Sequence, residues 1–177
     1  MKRPARLTNV SASNGDTSLA ALLLEALPLN RPVYAACLAA VGPQGARIAT
    51  IGCDLNDTFH IGSISKALNG LIYTEMVHAG LISPHNRLAD YLPLAGTAAG
   101  EATLESCLTH TSGLPATGGA TRAAARALVA VLIGGDPQPE SVEALINQLR
   151  KSRVSNPGRF SYSNLAASAL GHALAAA

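Results

Sequence analysis

The segment Ile61 to Leu81, IGSISKALNGLIYTEMVHAGL, constrains the fold more than any other stretch of the chain. Between Gly62 and Gly80 it predicts a helix from Ser63 to about Ala79 that is apolar on almost every side. Ile64, Leu68, Leu71 and Ile72 fill one side, while Ser63, Lys66, Gly70 and Tyr73 share the other. Such a helix is expected in the centre of a domain, where a lysine is costly unless it has partners. Ser63 and Lys66 stand one turn apart, about 60° around the axis, so their side chains share a face. Gly80 followed by Leu81 predicts a left-handed stop with its hydrophobic contact.

That pair has a chemical reading. A serine hydroxyl is a weak nucleophile until a neighbouring base takes its proton. A lysine one turn on can act as that base where burial and nearby cations ease its deprotonation. A serine in the first turn also offers its backbone N–H, and the helix dipole, to a developing oxyanion. The bland reading is that Ser63 is an N-cap and Lys66 a snorkelling surface charge. With 3 Lys and 14 Ser in 177 residues, roughly a quarter of a Ser-x-x-Lys match arises by chance, so the pair alone decides nothing. A second candidate group is Tyr162-Ser163-Asn164, after the turn Asn156-Pro157-Gly158. A phenol beside a lysine is favoured as phenolate and can shuttle protons. Asn164 can hold Lys66 or an acyl amide by hydrogen bonds, or can simply cap the helix that follows.

Composition narrows the function classes. At 48% hydrophobic and 14% charged, the chain can bury a core and is not a disordered segment. A net charge of +2 with 3% aromatics and no Trp gives no footprint for nucleic acid. Cys37, Cys53 and Cys107 are odd in number and far apart, with no zinc spacing, so free thiols in a reducing compartment are expected. His60, His78, His85 and His172 are scattered with no carboxylate at ligand spacing, so neither metal nor cofactor is expected. The first 18 residues start basic without an apolar stretch, and no run of 18 apolar residues occurs. The chain as given therefore reads as cytoplasmic, with no membrane partner. There is no Gly-x-Ser-x-Gly elbow, phosphate loop, Gly-x-Gly-x-x-Gly or His-Glu-x-x-His.

Along the chain, a single domain over 1–177 is expected, with residues 1–15 frayed. Asp16 is placed to cap a helix Thr17 to Leu27 that Pro28 ends. Pro32 to Val41 and Arg47 to Cys53, joined by Gly42-Pro43-Gln44-Gly45, read as a buried β-hairpin. Asp57 to Ile61 reads as a brief extended segment. Residues 82–100 hold Pro84, Pro93, Gly96 and Gly100 and are expected to be mostly loop. Helices are expected over 103–109, 120–133, 139–152 and 164–177.

Four ordered blocks carry a resemblance. Phe59 to Lys66, FHIGSISK, resembles the "F-x-x-G-S-x-S-K" signature of class C β-lactamases and related carboxypeptidases, D-aminopeptidases and esterases. Gly80-Leu81-Ile82 through Asp90-Tyr91-Leu92-Pro93 resembles that group's "G-x-L … Y-L-P" stretch. Thr103 to Pro115, TLESCLTHTSGLP, resembles "T-x-x-x-L-L-x-H-T-S-G-L-P". Pro157 to Asn164 resembles "P-G-x-x-F-x-Y-S-N". The resemblance implies an α+β fold of the serine β-lactamase/penicillin-binding-protein type. It also implies an acyl-enzyme at Ser63, with Lys66 and Tyr162 handling protons, Asn164 orienting substrate, and an amide, lactam or ester as substrate. Tyr-x-Asn, in place of Ser-Asp-Asn, favours the class C side. His110 and Ser112, within the third block, are expected to fix the turn by hydrogen bonds.

The group's third motif, Lys-Thr-Gly or His-x-Gly on a late strand, has no counterpart here, and only 13 residues follow Asn164. The expectation is a fold truncated before its C-terminal strands, lacking the second oxyanion donor, whose loss costs ~10²–10³ in rate. The hairpin is then expected to present a bare apolar edge, a route to self-association or to a completing partner. Three hypotheses follow: an active hydrolase completed from elsewhere, a non-catalytic remnant that binds, and an unrelated helical protein with coincidental motifs. The four ordered blocks argue against the last.

Overall fold

The computed structural model describes residues 13–27, 33–59, 61–116 and 141–177. The helix expected over 120–133 and the stretch 1–12 lie outside them. The chain divides into two compact units, Met1–His60 and Ile61–Ala177.

In the first unit, strand β1 (Ser13–Gly15) leads into helix α1 (Thr17–Ala26), followed by strands β2 (Ala36–Gly42) and β3 (Gly45–Ile51). Asp16 starts α1 as its residue type dictates, its Oδ1 accepting the N–H groups of Ser18 and Leu19 at 3.0 Å each. β2 and β3 form the expected antiparallel hairpin, with Gly42 opposite Gly45 and Ala36 opposite Ile51. Ser13–Gly15 are not frayed: they pair antiparallel with β3, Asn14 opposite Thr50, giving the order β1-β3-β2. Gly15 is required there, because φ is +90° and a Cβ would collide with the Ile48 carbonyl. The hairpin is not buried on both faces as expected. Leu38 and Ala40 pack with Leu19, Ala20 and Ala49, whereas Cys37, Ala39 and Val41 on the alternate face of β2 are exposed. No strand among the described residues pairs with the outer edge of β2.

The second unit is helical. A 3₁₀ turn (Gly62–Ile64) runs directly into α2 (Ser65–His78), followed by α3 (Leu88–Tyr91), α4 (Leu104–Leu108), α5 (Val142–Lys151) and α6 (Asn164–Ala176). The stop after α2 is as the sequence dictates: Gly80 has φ +70°, its N–H donates to the Val77 carbonyl and that of Leu81 to Met76. The stretch 82–100 carries α3 rather than loop alone, tied down by a bridge between Arg87 and Thr103. Thr103, Ser141 and Ser163 cap α4, α5 and α6 with their hydroxyls. α6 is the spine, packed against α2, α3, α4 and α5. Around it lies a continuous core containing Leu88, Leu94, Leu104, Cys107, Leu114, Leu149 and Leu170.

α2 departs from its expected burial. Only Tyr73 is buried, and Ile64, Leu68, Leu71 and Ile72 are exposed. The side turned inward is Lys66, Asn69, Gly70, Tyr73, Met76 and Val77, spaced as one helical face. Tyr73, Met76 and Val77 join the hydrophobic core from this side. Next to them Gly70 faces Leu108, and Gly171 of α6 leaves room for the Asn69 side chain, which would lie 3.1 Å from a Cβ there.

Candidate active site

The site is built from α2, the residues after α4, and the segment entering α6. The last two are zipped together by backbone hydrogen bonds. Ser155 N–H donates to the Gly113 carbonyl (2.9 Å), Gly158 N–H to Thr111 (2.8 Å) and Ser161 N–H to His110 (2.8 Å). Gly113 makes this approach possible: φ is +74°, and a Cβ would lie 2.5 Å from the Ser155 carbonyl oxygen. The third and fourth sequence blocks thus form one ledge, which delivers Tyr162 to the start of α2.

There Ser63 Oγ lies 2.7 Å from Tyr162 Oη and accepts a hydrogen bond from Lys66 Nζ at 3.2 Å. The Lys66 ammonium is also 5.1 Å from the Tyr162 ring centroid. Ser63 does not cap the helix, because its hydroxyl meets these two side chains and no backbone N–H. Ser63 and Tyr162 are exposed and Lys66 is half-buried, so the group is open to a solute. The polar contact with Lys66, then the hydrogen bond with Ser63, holds the Tyr162 phenol below its ordinary pKa of 10.0, with slight burial opposing.

Of the four residues singled out by sequence, the structure brings together Ser63, Lys66 and Tyr162. Asn164 does not join them. Its backbone N–H donates to the Ala116 carbonyl (2.9 Å), and no hydrogen bond links its side chain to Ser63, Lys66 or Tyr162. Nor does it cap α6. Ser163 does, with Oγ accepting from Ala166 N–H (2.9 Å) and donating to the Pro115 carbonyl (2.7 Å).

Two residues were not legible as site residues. Asn69, one turn beyond Lys66, donates from Nδ2 to the Ala167 carbonyl (3.3 Å) and lines a shallow pocket with Lys66, Cys107, Leu108, His110, Ala167 and Leu170. Its signal was available, since it repeats the Ser63–Lys66 spacing once more. His110 fixes the ledge as expected, but its ring also stacks on Tyr162, centroids 4.6 Å apart. Cys107, deep in the pocket, is no competing nucleophile, because burial pushes its thiol up to about 12. Ser112 is buried and structural, its Oγ accepting the Leu114 N–H at 3.3 Å. Among the described residues no cluster of three or more His, Cys, Asp or Glu is placed to hold a metal.

The comparisons with known proteins bear on the family and the fold. The beta-lactamase family profile matches residues 36–177. A class C beta lactamase from Rhodobacter sphaeroides superposes with a TM-score of 0.56 at 26% identity, covering 81% of this chain and 39% of its own. A protein from Bacteroides dorei DSM 17855 assigned provisionally to the beta-lactamases gives the same TM-score, 0.56, at 23% identity, covering 81% of this chain and 41% of its own. No curated protein matches the chain. An α+β fold of the serine β-lactamase type defines the class. The chain belongs to the beta-lactamase family, and spans about two fifths of the length of these two structures.

Proposed function

We propose that this chain carries the nucleophilic half of a serine hydrolase that acts on a small amide, lactam or ester through an acyl-enzyme at Ser63. The single observation that supports the reading is the three-way contact of Ser63 Oγ with Tyr162 Oη (2.7 Å) and Lys66 Nζ (3.2 Å). Tyr162 Oη and Lys66 Nζ both meet Ser63 Oγ, and Tyr162, in its phenolate form, is the group we assign to take the serine proton. Ser63 Oγ bonds to the carbonyl carbon as its proton moves to Tyr162 and the carbonyl π pair moves onto oxygen. The backbone N–H groups at the opening of the Gly62–Ile64 turn are the donors proposed for that oxyanion. The oxyanion pair then reforms the carbonyl and expels the leaving nitrogen or oxygen, which takes the proton from Tyr162. Water repeats the sequence and frees the acid. No cofactor or metal takes part in any of these steps.

The test is intact-mass spectrometry after exposure to a penicillin and to an activated p-nitrophenyl ester. We expect an adduct on the native chain and none on Ser63→Ala. We also expect the acylation rate to rise with pH through an inflection below the ordinary phenol value of ~10, as Tyr162 loses its proton. A folded native protein that forms no adduct with either probe sinks the reading.

A second reading, a binding module completed by a partner or by self-association, is favoured by the exposed aliphatic side of α2 and by the outer edge of β2, which no strand among the described residues pairs with. Light scattering that finds a monomer at all concentrations removes the self-association arm. We place the protein in the cytoplasm on the strength of its three free thiols, Cys37, Cys53 and Cys107. Recovery of the protein in an oxidising compartment on fractionation contradicts this. No described helix is long and apolar enough to cross a membrane.

A further inference from the structure

We propose that His110 is the positioning residue of this site: it holds the Tyr162 phenol against Ser63 by ring contact and by gripping the backbone on both sides of Tyr162. The inference rests on the proposed roles of Ser63 and Tyr162 and adds to them the device that keeps the phenol in place.

Tyr162 needs such a device. It is 43% exposed and sits in a segment with no regular secondary structure, Ser161 to Ser163, just ahead of α6. Left to itself, an exposed tyrosine there samples several rotamers, and holding one costs conformational entropy. A 2.7 Å contact with Ser63 therefore requires restraint from outside the segment.

His110 supplies that restraint from one residue. Its carbonyl accepts the N–H of Ser161 at 2.8 Å, and its Nδ1 accepts the N–H of Ser163 at 3.2 Å. The two donors flank Tyr162, so both of its peptide neighbours are fixed to His110. The imidazole lies against the phenol ring, centroids 4.6 Å apart at 42°, and meets the Phe160 ring edge-on at 6.0 Å and 88°. The Tyr162 ring thus has His110 as a wall, with the Lys66 ammonium 5.1 Å from its centroid.

The backbone points the same way. His110 has φ +58°, one of two described non-glycine residues in the left-handed region. That conformation is unfavourable for a non-glycine residue and persists only where its surroundings enforce it. Glycine would adopt it freely, so conformation alone gives no reason for an imidazole there. The contacts its ring makes do.

Nδ1 can accept from Ser163 only while it carries no proton, which puts the single ring proton on Nε2. Burial first, and the Lys66 charge second, keep the imidazole below its ordinary pKa and so preserve that acceptor. The titratable groups around the ring are Lys66, Tyr162 and Cys107, and the Cys107 thiol stays protonated.

The test reads the phenol itself, not turnover. Tyr162 ionisation is followed by ultraviolet difference titration, with Tyr162→Phe in each background subtracting Tyr34, Tyr73 and Tyr91. His110→Gly relieves the left-handed backbone while deleting ring and acceptor. His110→Asn tolerates that backbone and keeps a side-chain oxygen for Ser163, without the ring. We expect the Tyr162 titration to move upward, toward ~10, by about half a pH unit or more in His110→Gly and by less in His110→Asn. Should His110→Gly fail to fold, any upward movement in His110→Asn supports the proposal. An unchanged Tyr162 titration in a folded variant overturns it. A phenol that responds to His110 in a protein that never acylates at Ser63 would sink the hydrolase reading and leave the positioning intact.

Discussion

α2 and α6 are built from similar material and meet opposite fates. Each is a helix with aliphatic residues and few charges, and the two pack on one another. α6 buries Leu165, Ala166, Ala169, Leu170, Ala173 and Leu174, whereas α2 buries Tyr73 alone and leaves Leu68, Leu71 and Ile72 exposed. The difference lies in the neighbours. Four helices pack against α6, and its Gly171 makes room for the Asn69 side chain. α2 meets this unit along one strip only, and that strip carries Lys66 and Asn69. The helix that follows the proposed nucleophile is thus supported along one mixed strip, in which Lys66 and Asn69 accompany Tyr73, Met76 and Val77. By contrast, α6 is buried along its length.

The contrast is broken most directly at Leu170, which is 1% exposed at the centre of the core. Leu170→Ala is expected to destabilise the fold by about 2–5 kcal/mol, the range for a leucine truncated in a packed interior. Guanidinium denaturation measures it, and a loss below about 1 kcal/mol would mean that α6 is not the spine.

A smaller effect is expected where α6 begins. The fully buried Ser163 hydroxyl satisfies both the Ala166 N–H and the Pro115 carbonyl. Ser163→Ala removes a cap and strands a carbonyl together, a loss of about 1–3 kcal/mol. Asn164→Ala, which leaves that cap in place, is expected to cost under about 0.5 kcal/mol. Equal losses in the same denaturation experiment would show that the cap is misplaced by one residue.

That one-residue ambiguity marks the limit of what the sequence discloses. Caps, turns and glycine stops are local, and they were legible: Asp16 before α1, Gly80 after α2, the 42–45 turn of the hairpin. The Ser-x-x-Lys spacing likewise put Ser63 and Lys66 on one face before any contact was visible. Burial was not legible, because it depends on which other segments arrive. The aliphatic side of α2 looked like a core face, yet it is Tyr73, Met76 and Val77 on the opposite side that join the core. Asn164 stood beside the cap in sequence, but the ledge turns the Ser163 hydroxyl inward and gives Ser163 the cap. The two grips of His110 on the Tyr162 segment span about 50 positions and carry no periodic signal.

The smallest effect tests the other half of the contrast. Leu71 is 65% exposed and points away from the strip that meets α6. Leucine and glutamine have nearly equal helix propensities, so Leu71→Gln changes the surface without weakening the helix itself. If the aliphatic side of α2 is free in solution, the substitution should shift stability by no more than about 0.5 kcal/mol. It should also reduce any concentration-dependent association, because it removes part of an exposed apolar patch. A loss above about 1.5 kcal/mol, the scale of a leucine side chain taken out of water, would show that something covers this face in solution. If that loss grows with protein concentration, the cover is a second copy. If it does not, the cover belongs to the same chain, and α2 is as much a core helix as α6.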